Sequence, residues 1–260
     1  VKIGVIYCGY GTKDLVARSL EPWVNLRAQY MGQFDRRAAI HICAVSVRFA
    51  GFEGEDDGTC NVLREYKARG DIDHLVDGPQ NVPETTARGM ALTYLRDTAK
   101  ADIVIQWDSD EVATEEELGR MIRFAEENPF VAWFRVAYRN LVFAPNQWLA
   151  EPFTPPRIHR ISMDGYRLHS FSGDNDICYG GTITRDILPQ DRFPSLTIPG
   201  TIANPAHHTW LSDTPENKVR SQAKVRYQMA RWNHCSFALD SEGNLIFNPA
   251  LPAPRVVREA

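Results

Sequence analysis

The stretch Asp102-Ile103-Val104-Ile105-Gln106-Trp107 constrains the fold more than any other in this sequence. Its Ile103-Val104-Ile105 centre is apolar on both faces of a strand, whereas a strand with one wet face alternates polar and apolar side chains. A strand of this kind has to be covered on both sides, as in a parallel sheet between helices. The flanking segments supply the partners. Val1 to Cys8 is a β-rich run closed by Gly9-Tyr10-Gly11, Ala38 to Phe49 is a second strand, Ile72 to Val76 a short third, and Val131 to Phe143 a long one. Helical spacing lies between them. Thr12 to about Gln29 places Val16, Leu20, Trp23 and Val24 on one face, and Pro22 predicts a kink or an early end. Asn61 to Ala68 is helical, and Glu84 to Lys100 sets Ala87, Met90, Ala91, Tyr94 and Leu95 on one side. Thr114 opens a further helix with the capping box Thr114-x-x-Glu117, and Pro129 ends it.

This β-α-β-α-β order predicts an α/β fold, a mostly parallel sheet flanked by helices. Beyond residue 145 prolines punctuate short segments, a helix returns near Pro215 to Trp232, and the tail from Pro249 is expected to be extended on the surface or frayed. With no break in composition, residues 1–248 read as one domain and 249–260 as its tail.

Hydrophobic residues at 43% and charged residues at 24% exclude wholesale disorder. Lys and Arg number 29 against 33 Asp and Glu, so the basic excess expected of a nucleic-acid binder is missing. The five cysteines are far apart without a CxxC pair, which argues against a disulfide framework or a zinc ribbon. No apolar run approaches the ~20 residues that span a bilayer, and Val1 to Ile6 does not read as a signal peptide. The expectation is a soluble cytoplasmic protein without a transmembrane segment, compatible with peripheral membrane contact.

The chemistry concentrates just after the doubly apolar strand, at Asp108-Ser109-Asp110-Glu111. Ligands bind at the carboxyl ends of strands in open α/β sheets. Carboxylates this close repel one another, and a divalent cation would neutralise them; hard oxygen ligands select Mg²⁺ or Mn²⁺, which bridge to a diphosphate. A solvated acidic turn capping the next helix is the plainer reading.

Several segments in order, not one motif, then resemble the family 2 glycosyltransferases of the GT-A fold. Val1 to Trp23 looks like that family's opening strand, nucleotide loop and first helix. Glu55-Asp56-Asp57-Gly58-Thr59 is similar to its Asp-Asp-Gly-Ser segment, Glu84 to Leu92 to its Ala-Arg-Asn helix start, and Asp102 to Glu111 to its strand and Asp-x-Asp. The resemblance implies sugar transfer from a nucleotide diphosphate sugar to a saccharide or other hydroxyl acceptor, usually with inversion and with Mn²⁺ or Mg²⁺. Residues 1–130 would be the nucleotide-sugar half and 131–248 the acceptor half.

On this resemblance Asp110 is the metal ligand, Asp108 holds the ribose and supports the metal shell, and Arg88 steadies the nucleotide. Tyr10 and the flanking glycines would take the base, with Asp57 or Asp56 accepting its imide proton. Gly173-Asp174-Asn175-Asp176-Ile177-Cys178 is similar to the family's Glu-Asp-x-Asp-Leu-Cys, which makes Asp174 the catalytic base and Asp176 the reserve. A carboxylate is the group such a reaction needs to take the acceptor's proton. In Pro205-Ala206-His207-His208-Thr209-Trp210, His208 matches a late metal-binding histidine, with His207 left open. Gln228-x-x-Arg231-Trp232 also fits a pattern of processive synthases, which carry transmembrane helices absent here; an amphipathic helix end is the reading taken, with Trp232 as a candidate acceptor platform. Lys218, Arg220, Lys224 and Arg226 read as a solvated helix face rather than a lid. The competing classes are a sugar-phosphate nucleotidylyltransferase, disfavoured because Trp23 rather than Lys follows Pro22, and a non-catalytic nucleotide-sugar binder. A dinucleotide dehydrogenase is weaker, since Asp14 replaces the third glycine.

Overall fold

A computed structural model describes residues 1–33, 39–52, 56–78, 81–163, 166–172, 176–179, 195–232 and 235–258. In chain order its elements are β1 (Lys2–Cys8), α1 (Lys13–Gln33), β2 (Ala39–Val45), α2 (Thr59–Arg69), β3 (His74–Val76), α3 (Glu84–Thr93), β4 (Ile103–Asp108), β5 (Glu111–Val112), α4 (Glu115–Glu127), β6 (Trp133–Val136), β7 (Arg139–Leu149) and β8 (Pro156–Arg160). There follow β9 (Ser162–Met163), β10 (Tyr166–Ser172), β11 (Asp176–Tyr179), β12 (Ser195–Ile198), β13 (Ala206–Leu211), α5 (Pro215–Trp232), β14 (Phe237–Leu239), β15 (Leu245–Phe247) and β16 (Val256–Arg258).

Seven strands form the main sheet in the order β12-β6-β8-β4-β1-β2-β3. The pairs β1–β2, β1–β4, β2–β3 and β12–β6 are parallel, and β8 runs antiparallel between β4 and β6. The mostly parallel α/β sheet expected from the sequence is therefore present. Its period of two sorts side chains onto two cores. Ile3, Val5 and Tyr7 of β1 join Ile103, Ile105 and Trp107 of β4 beneath α1, α2 and α4. Ile6, Cys8 and Val104 face the opposite core with Ala87, Ala91 and Leu92 of α3. Both faces of β4 are thus covered by helices. Each such aliphatic side chain contributes about 1.5–3 kcal/mol on full burial. Trp23 and Trp107 meet edge to face at 5.5 Å in the first core.

A second, four-stranded sheet has the order β16-β7-β13-β5. Where the sequence predicts one long strand over 131–143, the chain divides it: β6 stays in the main sheet, and β7 begins the second after Tyr138, whose backbone bridges to Phe153. The helix containing Pro22 runs unbroken to Gln33. The missing amide of Pro22 is outweighed by the burial of Leu20, Trp23 and Leu26 on either side of it. The helix expected over Glu84 to Lys100 runs from Glu84 to Thr98, its last turn, Tyr94–Thr98, widening to a π-turn, and Lys100 leaves it with φ of 57°. The capping box forms, Thr114 accepting from the Glu117 amide at 3.2 Å and Glu117 from the Thr114 amide at 2.9 Å. In the tail, Val256–Arg258 pairs with Gln147 to Leu149 of β7. Among the described residues no helix is long and apolar enough to cross a membrane.

His159 of β8 is fully buried, and the Gln106 side-chain amide lies 3.1 Å from its Nε2, the arrangement of a neutral imidazole accepting a hydrogen bond. Burial first, then the nearby Arg157 charge, push this histidine down to about 3. Unfolded, it takes up a proton below about pH 6.5. The folded state therefore loses stability as pH falls through that value, by about 2 kcal/mol between pH 7 and pH 5. Urea unfolding of wild type and His159→Gln at both pH values should show the variant losing less; equal losses would mean that His159 does not titrate this way.

Candidate active site

The carboxyl ends of β1 and β4 lie side by side, with Cys8 opposite Asp108 in register. The loop leaving β1 packs against the loop leaving β4. Thr12 and Ser109 hydroxyls are 2.6 Å apart, and a Cβ on Gly9 would come within 3.3 Å of Ser109 Oγ. Gly11 has φ of 65°, a left-handed conformation that glycine adopts without steric cost. A cavity of about 350 Å³ opens over these ends, within the usual range for ligand sites. Tyr10, Arg88, Asp108, Asp110 and His207 all line it. Residues from four separate motifs thus converge on one space.

Asp108 is the terminal residue of β4, on the same face as Val104, so it looks toward α3. One carboxylate oxygen accepts from Arg88 Nη2 at 2.7 Å and the other from Arg157 Nη2 at 2.9 Å. Burial opposes its ionisation, but the two guanidiniums hold it well below the usual carboxylate range. Arg88 also donates from Nε to Glu84 at 3.0 Å, one turn earlier on α3, while its Nη1 is buried without a hydrogen-bond partner.

Glu111 turns the other way and is completely buried. It accepts from Arg157 Nε at 2.9 Å, from the Tyr138 hydroxyl at 3.0 Å and from the Asp108 amide at 3.1 Å. Burial lifts it to about 7 against the pull of Arg157. Among the described residues, arginines supply positive charge to two of the three crowded acids. Arg88 and Arg157 neutralise Asp108, and Arg157 serves Glu111 as well.

Asp110 stands apart from this network. Its Oδ2 accepts from the Thr209 hydroxyl and lies 3.7 Å from His207 Nε2. Burial raises it, yet His207 and then Lys224 bring it below its ordinary value. The strand register explains the company. β13 pairs with β5 so that His207 faces Glu111, and the His208 amide donates to the Asp110 carbonyl at 2.8 Å. His207 and Thr209 line the cavity, whereas His208, the histidine matched by resemblance, does not. Alternation along β13 is the physical reason. His207 Nδ1 lies 2.9 Å from Asn140 Oδ1. His207 Nε2 lies 3.0 Å from the Thr209 hydroxyl and would have to present a lone pair to ligate a metal.

Asp57, expected at the base, instead serves two helix starts. Its Oδ2 accepts the Lys13 amide at 2.9 Å, and its Oδ1 accepts the Thr59 amide at 3.1 Å and hydroxyl at 2.5 Å. Orphan amides of a helix first turn attract a carboxylate in this way. Asp56 likewise accepts the Gly58 amide at 3.2 Å, and neither acid lines the cavity. Tyr10 does, in an edge-to-face contact with Phe52 at 6.1 Å between ring centres. Asp174 lies outside the described residues, as do the side chains of Asp176, Arg231 and Trp232.

Arg157 and Tyr138 escaped the sequence reading. Arg157 is 46 residues from Glu111 in sequence and meets it only because β8 inserts between β4 and β6. No local spacing announces that contact.

Among the described residues, no cluster of three or more His, Cys, Asp or Glu side chains could hold a metal ion unaided. Asp110 and His207 supply one carboxylate and one imidazole. Mg²⁺ and Mn²⁺ commonly use one or two protein ligands with the rest from substrate phosphates and water, so this pair fits such an ion.

No protein-family model matches the sequence. No curated protein matches it significantly. Solved structures do. Residues 1–349 of S. aureus TarS in complex with UDP-GlcNAc are similar at 17% identity over 54% of this chain and 35% of that one, with a TM-score of 0.39. The mannosyltransferase PcManGT from Pyrobaculum calidifontis, in complex with GDP-Man and Mn²⁺, is similar at 14% identity over 90% of this chain and 64% of that one, with a TM-score of 0.46. The chain spans less than two thirds of either structure's length.

Replacing Arg157 by Met would leave the buried Glu111 without its cation and remove one of the two arginines on Asp108. Breaking a buried pair from one side costs about 3–5 kcal/mol. That loss is expected in equilibrium urea unfolding of Arg157→Met, with partial recovery in Arg157→Lys, whose single ammonium cannot fork to both acids. A loss below about 1 kcal/mol would show that the acids do not depend on it.

Proposed function

We propose that the protein is a glycosyltransferase of the GT-A fold that moves a sugar from a UDP- or GDP-sugar to a hydroxyl acceptor, with Mn²⁺ or Mg²⁺ and with inversion. The observation that carries this reading is the convergence of Tyr10, Arg88, Asp108 and Asp110 on one cavity at the carboxyl ends of β1 and β4. In this reading residues 1–130 hold the donor and 131–248 the acceptor, within one domain.

Each residue then has a task. Tyr10 offers a flat face to the base. Asp108, locked by two arginines, accepts a ribose hydroxyl; the locking keeps its carboxylate ionised and oriented. Arg88 keeps Asp108 in place and has one buried N–H group to offer the donor. Asp110 and His207, rather than His208, would hold the metal. When bound, the metal supplies Lewis-acid neutralisation of the leaving diphosphate. Asp174, assigned by resemblance, takes the acceptor proton. The acceptor oxygen bonds to the anomeric carbon as the bond to the diphosphate breaks, and the diphosphate leaves with that electron pair.

A thermal-shift panel of UDP, GDP, CDP and dTDP, with and without Mn²⁺, tests donor binding. One nucleotide should raise the melting temperature, because a ligand of the native state stabilises it by mass action. Asp110→Ala should keep its fold and lose transfer. Asp174→Asn should keep nucleotide binding and lose turnover by about 10²-fold or more. Full activity in Asp110→Ala would reject the metal assignment, and a wild-type rate in Asp174→Asn would remove the base.

A further inference from the structure

The basic stretch of α5, expected to be solvated, is divided by the structure. Arg226 is exposed, and Lys218 donates to Asn244 Oδ1 at 2.7 Å. Arg220, Lys224, Tyr227 and Gln228 fall at i, i+4, i+7 and i+8, one face of a helix, and all line the cavity. That face is pinned on both sides of Lys224. Arg220 donates to the Gly11 carbonyl at 3.3 Å and to Asp14. Tyr227 sets its hydroxyl 3.5 Å from Glu84 and its ring 5.9 Å from Phe52. Lys224 itself makes no hydrogen bond or ion pair among the described residues, although its charge acts on both Asp108 and Asp110. Asp108 is already neutralised by Arg88 and Arg157. Among the described residues, Lys224 thus lines the cavity without a hydrogen-bond partner, on a helix tied to the glycine loop.

Building on the donor site proposed above, we propose that Lys224, on a helix anchored by Arg220, is a diphosphate-binding arm that holds the donor's phosphates directly, even without a divalent metal. A lysine ammonium suits this as a mobile point charge with three donors. Near Asp110 a diphosphate is repelled unless a cation lies between, and Lys224 supplies one. The metal would then add to charge neutralisation in the reaction without being essential for capture.

The test is calorimetric titration of the protein with inorganic pyrophosphate in EDTA. Wild type should bind, and Lys224→Met and Lys224→Gln should each bind about tenfold more weakly, the loss of one charged hydrogen bond. Lys224→Arg and Arg226→Met should stay close to wild type, and Asp110→Asn should bind more tightly because a repelling charge is gone. Wild-type affinity in a Lys224→Met protein with an unchanged melting transition would overturn the proposal, as would binding by wild type only when Mn²⁺ is present. Pyrophosphate binding that depends on Lys224 in a protein that transfers no sugar would uphold the arm and reject the transferase reading. Sugar transfer with unchanged KM in Lys224→Met would do the reverse.

Discussion

The pairing of a fully buried and a half-buried acid with two buried arginines organises this structure. Asp108 and Glu111 sit three residues apart at the end of the central strand, and burying the Glu111 charge without a partner would be costly. Arg88 comes from α3 on one side and Arg157 from β8 on the other. The pairings therefore fasten a helix and the antiparallel strand to the end of β4. They also set the direction of the Asp108 carboxylate, which is the wall of the cavity. Much of the tertiary contact that defines the site is electrostatic, inside a frame that is held by apolar packing.

This arrangement gives the two acids of Asp-x-Asp different roles. Asp108 has both oxygens engaged and is a rigid acceptor with no freedom to swing. Asp110 has one oxygen bonded to Thr209 and 3.7 Å from His207 Nε2, and the other without a hydrogen-bond partner among the described residues. Within one tripeptide the fold separates a fixed anion from an adaptable one. The second sheet makes the separation, since β5 and β13 carry Glu111 and His207 into register while β4 carries Asp108.

Part of the cavity wall comes from α5, which is distant in sequence from the strands it faces. Its inward stripe combines cations with an aromatic ring, and its outward positions are solvated. The apolar walls, with Val47, Phe49 and Phe52 near Tyr10 and with Phe153 and Trp210 near His207, lower the local dielectric. Charges inside such a space act on one another more strongly than they would at the surface.

Much of this was legible in the residues alone. The doubly apolar Ile103-Val104-Ile105 run demanded a covered strand, helical spacing located the helices that cover it, and the Thr114 capping box marked a helix start that formed as expected. The acids at 108 and 110 could be placed at a ligand-binding edge because strand polarity follows from the order of elements. These properties are local: periodicity and capping depend on neighbours within a few residues. Contacts between distant segments carry no such signature. That Arg157 pairs with both Asp108 and Glu111 depends on β8 entering the sheet between β4 and β6. That His207 rather than His208 meets Asp110 depends on the register of β13, where a slip of one residue would exchange them. That Asp57 caps helices, and that Lys224 turns inward, depends on how loops and α5 pack. Local patterning in the chain determined which elements form and where charge gathers, and only the tertiary structure decided which charges meet, because pairing across a sheet is set by topology and register.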